Sequence, residues 1–108
     1  MKTLKFKGFK AKMILDGDKT STMRLFDDKY IKAWEDLEFI NSDTNEVFAH
    51  AVTTDVFEKK LSELDEIDFE GHETWDSPEE MLKSLQTYYG ADKVTMETPV
   101  KVIRFKLV

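Results

Sequence analysis

The chain has 108 residues and a formal net charge of −6, with 12% aromatic residues and no Cys. This length suits one domain with a single core, and the lack of Cys excludes disulfides and thiolate metal sites. No stretch is apolar enough for a signal peptide or a membrane span. The sequence therefore predicts one cytoplasmic domain over residues 1–108, with no membrane partner.

The charges are segregated along the chain. Residues 1–33 carry nine basic and four acidic side chains, whereas residues 34–98 carry four basic and eighteen acidic ones. Because phosphate contacts need positive potential, a chain that is acidic overall is not expected to bind duplex DNA. The basic N-terminal segment instead favours a small nucleoside or a short RNA as the partner.

The first predicted elements are a short strand at residues 4–6 and an amphipathic helix at residues 9–15. Gly17 suits the end of this helix because glycine readily adopts positive φ. The hydroxylated, β-branched run that follows predicts a strand over residues 20–26. Trp34, in the next connection, is expected to be buried in the core or as a plug at one end of the sheet, since aromatic side chains bury large areas; the alternative is a platform for base stacking.

The rest of the chain predicts a hairpin, an acidic segment, a helix and a closing strand. The hairpin strands are predicted at residues 37–40 and 46–58. The acidic segment at residues 59–69 predicts a helix or turns, and the last strand is predicted at residues 100–108. Ser77 as an N-cap, followed by Pro78, predicts a helix that ends at Gly90. This order of strands and helices indicates an α+β fold.

Residues 17–24 form the strongest candidate for a functional site. They combine a glycine, an amine, three hydroxyls and a guanidinium. Alternation along a strand places Thr22 and Arg24 on one face, and Lys19 reaches that face if it lies in the turn before the strand. On residue types alone the alternative is a solvated corner, whose hydroxyls bond to free carbonyls at the helix end.

The pattern Gly17-x-Lys19-x-x-x-x-Arg24 after an apolar helix resembles the signature of ASCH domains, the activating-signal-cointegrator homology family. The chain also ends as that family does, with Tyr88-Tyr89-Gly90 and then Val102-Ile103-Arg104-Phe105. The resemblance covers nearly the whole chain, although only the first motif is specific. It implies a small PUA-like β-barrel with flanking helices.

Within that family, the bacterial N4-acetylcytidine amidohydrolases carry a Lys-x-x-Thr-x-Arg core, which Lys19, Thr22 and Arg24 match. The resemblance therefore implies removal of an acetyl group from N4-acetylcytidine or a related acylated pyrimidine nucleoside. Thr22 would supply the nucleophile and neutral Lys19 the base. The catalytic carboxylate of that family lies in the loop before the capped helix, where Glu70 is the match and Glu73 the substitute.

The remaining roles follow from the same resemblance. Arg24 and Gly17 are implied to bind the substrate, and neither a cofactor nor a metal is expected. A metal site is the competing catalytic idea, because one loop holds carboxylate and imidazole ligands: Glu70, His72, Glu73 and Asp76. One His without Cys is a weak signal for such a site.

Two alternative functions would use the same basic residues of segment 1–33, including the corner at residues 17–24. One is an RNA-binding module with no chemistry, favoured by the positive charge of residues 1–33. The other is an RNA-cleaving enzyme, since a fold does not fix the reaction it supports.

Overall fold

The computed structural model describes residues 1–108 and contains one sheet of five strands. These are β1 (Lys2–Phe6), β2 (Ser21–Leu25), β3 (Asp36–Asn41), β4 (Glu46–Lys60) and β5 (Pro99–Leu107). The order across the sheet is β1-β3-β4-β5-β2, with β1 parallel to β3 and the other pairs antiparallel. β1 and β2 are therefore the two edge strands.

The sheet curls until its two edges face each other across an open seam. Side chains, rather than a backbone ladder, connect the edges. The Arg24 guanidinium on β2 donates through Nη2 to the main-chain oxygen of Lys5 on β1 at 2.8 Å, and Lys29 Nζ donates to that of Thr3 at 2.6 Å. The result is a half-barrel whose seam is crossed by cationic side chains.

Two α-helices and two short 3₁₀ helices flank the sheet. The α-helices are α1 (Gly8–Leu15) and α2 (Pro78–Tyr89), and the 3₁₀ helices are Leu61–Glu63 and Glu66–Phe69. Neither α-helix is long and apolar enough to cross a membrane. The 3₁₀ helices occupy the acidic segment that was expected to form a helix or turns.

The buried apolar side chains form two clusters. The first fills the half-barrel and consists of Leu4, Phe6, Ile14, Ile31, Leu37, Phe39, Ala51, Ile103 and Phe105. The second lies under α2 and consists of Leu25, Leu61, Met81, Val94 and Val100. β5 contributes to both clusters, so α1 and α2 both pack against the same sheet.

The predicted α+β class is confirmed, and α1 and α2 form where the sequence indicated. The expectation for Trp34 is wrong, because its side chain is 71% exposed. Trp34 adopts a positive φ of 62°, and its main-chain N–H donates to the oxygen of Thr53 at 2.8 Å. The backbone is thus tied to β4 in a tight turn, and this conformation leaves the ring in solvent.

The N-terminal cap of α2 predicts a measurable loss of stability. Ser77 Oγ accepts a hydrogen bond from the main-chain N–H of Glu80 at 3.1 Å, and Pro78 occupies the first helical turn. We expect Ser77→Ala to lower the free energy of unfolding by about 0.5–2 kcal/mol in chemical denaturation. Ser84→Ala, in the exposed middle of the same helix, is the matched control and should cause no loss. Equal effects at both positions would contradict the assigned cap.

Candidate functional site

Lys19 occupies the turn that leads from α1 into β2. Gly17, with φ of 84°, reverses the chain after α1, and the N–H of Lys19 bonds back to the oxygen of Met13 at 3.2 Å. This turn directs the Lys19 side chain inward, so that only 2% of the residue is exposed. A buried ammonium requires a partner of opposite charge or a lowered pKa.

The loop after the second 3₁₀ helix is docked directly on the start of β2. The main-chain oxygen of Gly71 accepts from the N–H groups of Thr20 at 2.8 Å and of Ser21 at 3.1 Å. Ser21 Oγ, fully buried, donates to the main-chain oxygen of Glu70 at 3.1 Å. These three bonds bring the loop, and the side chains just after Gly71, against Lys19.

The partner of Lys19 is Glu73. Lys19 Nζ lies 2.7 Å from Glu73 Oε2, and the two residues are 54 positions apart in the chain. Burial, the largest effect, together with the positive charges of Lys10 and Arg24, lowers the pKa of Lys19 below its ordinary value of 10.5, although the Glu73 carboxylate raises it. Burial on its own would raise the pKa of Glu73, but the hydrogen bond from Lys19 brings it below its ordinary value of 4.5.

His72 completes this cluster from the side of the loop. Its Nδ1 lies 2.6 Å from the main-chain oxygen of Glu73 and 3.3 Å from Glu73 Oε2. Burial and the positive charge of Lys19 lower the pKa of His72 to about 4, so the ring is neutral near pH 7. Since both neighbours of Nδ1 are acceptors, Nδ1 carries the proton and Nε2 has the free lone pair.

Thr22 and Arg24 lie next to each other on β2, as alternation along a strand predicts. Thr22 is only 4% exposed, and Arg24 Nε donates to Thr22 Oγ1 at 3.3 Å. The Arg24 guanidinium also stacks over the Phe6 ring, 4.8 Å from its centroid. These contacts hold a positive charge beside the threonine hydroxyl, where it favours any negative charge that develops on that oxygen.

These groups line a cleft of about 310 Å³ at the seam. Its polar lining includes Thr22, Arg24, His72 and Glu73, and aromatic rings from β1, α1, the loop and α2 form much of the rest: Phe6, Phe9, Trp75, Tyr88 and Tyr89. Glu73 Oε1 is buried and accepts no hydrogen bond from the protein. The cleft therefore combines apolar walls with a few polar groups, as small-molecule sites do.

The structure places some of the predicted site residues at the cleft and others away from it. Thr22, Arg24 and Glu73 line the cleft, and Lys19 reaches it through its bond to Glu73. Glu70 is exposed and its carboxylate makes no contact with Lys19, because only its main-chain oxygen takes part in the docking. The Lys19 carboxylate partner is thus Glu73, the substitute, and not Glu70.

Gly17 also lies away from the position expected of it. It is exposed at the end of α1, has no heavy atom within 4 Å of an added Cβ, and does not line the cleft. Its role is conformational, since its positive φ reverses the chain ahead of Lys19. The predicted contact of Gly17 with substrate is therefore not supported.

The competing metal set does not come together. No group of three or more His, Asp or Glu side chains is arranged to hold a metal ion anywhere in residues 1–108. His72 and Glu73 are adjacent, but His72 Nδ1 and Glu73 Oε2 face each other and Oε2 is bonded to Lys19.

Sequence reasoning assigned no role in the site to three lysines of the cleft, Lys5, Lys7 and Lys10, or to Trp75. Lys5 on β1 and Lys7 just after it alternate with apolar residues and so resemble the solvated face of any strand. A signal for Glu73 did exist, because a buried lysine needs a carboxylate and Glu73 lies close to Gly71 in the loop. Nothing local distinguished it from Glu70.

A substitution of Gly71 tests the docking of the loop, because Gly71 is the residue at which the loop meets the start of β2. Its φ is 73°, and a Cβ there would overlap Thr20 Oγ1 and lie 3.1 Å from Thr20 Cβ. We expect Gly71→Ala to lower the free energy of unfolding by about 1–3 kcal/mol in chemical denaturation. The displaced loop would also move Glu73 away from Lys19.

Gly17→Ala is the matched control for Gly71→Ala. Gly17 also has positive φ, of 84°, but an added Cβ there meets open space. It should show the conformational cost alone, about 1 kcal/mol, and keep the Lys19–Glu73 contact. If Gly71→Ala proved no more damaging than Gly17→Ala, the close approach of the loop to Thr20 would be contradicted.

No protein-family model and no curated protein sequence matches the chain. Solved structures do match. An ASCH domain from Lactobacillus crispatus JV V101 has a TM-score of 0.75 at 12% identity, covering 98% of this chain and 79% of that chain. ASCH from Zymomonas mobilis has a TM-score of 0.70 at 11% identity, and the match covers 96% of this chain and 65% of that protein. A protein from Enterococcus faecalis V583 has a TM-score of 0.70 at 17% identity, and the match covers 91% of this chain and 69% of that protein.

At these identities the likeness establishes the fold. The chain has an ASCH-like, PUA-like fold, and the fold expected from the Gly17–Arg24 motif is confirmed.

Proposed function

We propose that the protein is an amidohydrolase that removes the acetyl group from N4-acetylcytidine or a closely related N4-acylated pyrimidine nucleoside. The observation that supports this most is the buried Lys19, held at 2.7 Å by Glu73, which lines the same cleft as Thr22. A hydroxyl, an amine whose pKa is lowered by burial and a carboxylate that orients the amine are the groups that acyl transfer from nitrogen requires.

The first step of the proposed reaction is attack by Thr22. Its Oγ1 bonds to the carbonyl carbon of the acetyl group, and its proton passes to the neutral amine of Lys19. Arg24 Nε, which already donates to Thr22 Oγ1 at 3.3 Å, stabilises the oxygen as it loses that proton. Glu73 stabilises the ammonium that forms on Lys19.

The second step breaks the bond between the acetyl carbon and N4. The departing nitrogen takes the proton from Lys19, which releases cytidine and leaves an acetyl ester on Thr22. Water then attacks this ester, with Lys19 again accepting a proton and returning it to Thr22, and acetic acid leaves and releases its remaining proton to solvent as acetate forms. Atoms and charges balance without a metal ion or an organic cofactor.

The cleft supports a substrate of nucleoside size. Its volume of about 310 Å³ lies at the lower end of the range for small-molecule sites. Trp75 and Tyr89 offer flat apolar surfaces for a pyrimidine ring.

The test is incubation of the purified protein with N4-acetylcytidine, followed by chromatographic measurement of cytidine and acetate. We expect both products in equal amounts, without added metal. N4-acetylcytosine and an N-acetylated adenosine are the comparison substrates, and they establish whether the pyrimidine and the ribose are needed. No cytidine at high protein concentration would overturn the proposal.

The second candidate is a binding module for RNA without chemistry. It is favoured by the cationic side chains of the cleft, all of which come from the basic segment 1–33. It requires RNA binding that weakens steeply with added salt, together with no release of cytidine. Shortened RNA products in the same experiment would indicate cleavage instead.

A further inference from the structure

The cleft carries more positive charge than an uncharged nucleoside needs. Three lysines line one rim of the cleft: Lys5 on β1, Lys7 just before α1, and Lys10 in its first turn. We call them the lysine rim. The only acidic residue in the lining is Glu73, which is already bonded to Lys19 at 2.7 Å. The rim is therefore a site of net positive charge in a chain of net charge −6.

The lysine rim is largely unpaired. Lys5 and Lys7 are exposed, and neither has a carboxylate oxygen within 4.0 Å in residues 1–108. Lys10 Nζ lies 3.9 Å from Glu73 Oε1, at the limit of an ion pair. Like charges gathered on one rim repel each other, so the arrangement is most favourable when an anion binds between them.

Aromatic rings accompany two of these lysines. Lys7 Nζ lies 5.8 Å from the ring centroid of Tyr88, and Lys10 Nζ lies 5.9 Å from that of Phe9. The two aromatic residues are 68% and 61% exposed, although both line the cleft. Cationic groups beside open rings are the combination that binds a phosphate together with a stacked base.

Lys5 is also tied to the proposed catalytic residues. Its main-chain oxygen accepts from Arg24 Nη2 at 2.8 Å, while Arg24 Nε donates to Thr22 Oγ1 at 3.3 Å. The Arg24 side chain thus spans from the proposed nucleophile to the rim. A pyrimidine held near Thr22 would present its ribose, and any group attached to the ribose, within reach of this lining.

We infer that the lysine rim is a phosphate subsite, and that the substrate is an N4-acylated cytidine whose ribose carries a phosphate. This inference rests on the proposed amidohydrolase function and names its substrate class more closely. The phosphate comes from either a free nucleotide or the neighbouring residue of a single-stranded RNA, since a phosphate monoester and a phosphate diester both present anionic oxygens to the lysines.

The experiment compares kcat/KM for three substrates at low and high salt. These are N4-acetylcytidine, its 5′-monophosphate, and a trinucleotide with the acetylated residue in the middle. We expect at least one phosphorylated substrate to be preferred over the nucleoside by about tenfold at low salt, with the preference lost at high salt. A better trinucleotide identifies RNA as the source, and a better monophosphate identifies a free nucleotide.

A double variant tests the assignment to these lysines. In Lys5→Gln/Lys7→Gln the preference for phosphorylated substrate should fall to about one. The control Lys83→Gln/Lys106→Gln removes two exposed lysines outside the cleft lining, and so changes the net charge by the same amount as Lys5→Gln/Lys7→Gln. This control should keep the preference for phosphorylated substrate. Equal kcat/KM for nucleoside and phosphorylated substrates in the unaltered protein, or a preference that survives Lys5→Gln/Lys7→Gln, would overturn the inference.

Direct binding separates the subsite from the proposed reaction. Calorimetry with cytidine and cytidine 5′-monophosphate should give tighter binding of the monophosphate, and the double variant should remove the difference. If no substrate is hydrolysed but the monophosphate still binds more tightly, the proposed function fails and the subsite stands. If cytidine, the monophosphate and a trinucleotide with unmodified cytidine in the middle all bind equally, the subsite fails whatever the catalytic result.

Discussion

Thr22→Val is expected to lower kcat for N4-acetylcytidine more than about 10³-fold, because removing a nucleophile that acts with its base removes nearly all of their joint effect. Valine keeps the β-branched shape at a buried position on β2, which is 4% exposed, and replaces only the hydroxyl. The fold should therefore survive, which circular dichroism and thermal unfolding would check. Cytidine release measured by chromatography gives the rate.

Thr22→Ser is the matched control, because it retains the hydroxyl and removes one methyl group. It should keep a large part of the activity. The double variant Thr22→Val/Lys19→Met should lose little more than Thr22→Val alone, since nucleophile and base act as a unit. Substantial turnover by Thr22→Val would exclude Thr22 as the nucleophile.

Glu73→Gln is expected to lower kcat by about 100-fold or more. Glutamine keeps an oxygen for the bond to Lys19, which is 2.7 Å long in the structure, but removes the negative charge that stabilises the ammonium. Lys19 would then be a weaker base. Glu70→Gln is the matched control and should leave kcat unchanged, because Glu70 is exposed and its carboxylate does not contact Lys19.

The pH dependence of Glu73→Gln provides a second readout. If neutral Lys19 is the base, kcat rises as pH increases through the pKa of Lys19, which burial has lowered from 10.5. Glu73 raises that pKa, so its neutralisation should move the rise in kcat to lower pH while the plateau falls. An unshifted profile, or an equal loss in Glu70→Gln, would contradict the assigned pair.

Local patterns in the sequence were sufficient for part of this structure. The Ser77-Pro78 pair marks the start of α2 within one turn, and Gly17 marks the reversal that places Lys19 ahead of β2. Both rest on contacts between residues close in the chain. Alternation along β2 likewise places Thr22 beside Arg24.

The remaining features depend on contacts that no local pattern encodes. Glu73 meets Lys19 across 54 positions because the oxygen of Gly71 bonds to the first residues of the β2 segment, and this docking selects Glu73 over Glu70. Trp34 was misplaced because its aromatic character favours burial, whereas a positive φ of 62° in a turn leaves it exposed. The lysine rim forms only because the curled sheet brings β1 and α1 to the same cleft as the end of α2.

The acetyl ester on Thr22 is the central claim, and its direct test is mass spectrometry of the protein quenched with acid during turnover of N4-acetylcytidine. Proteolytic fragments spanning residues 20–24 should carry one added acetyl group, located on Thr22 by fragmentation and absent from Thr22→Val. Thr22→Ser should be labelled in the same way. An acetyl group found on Lys19, or full turnover with no labelled fragment, would contradict the account.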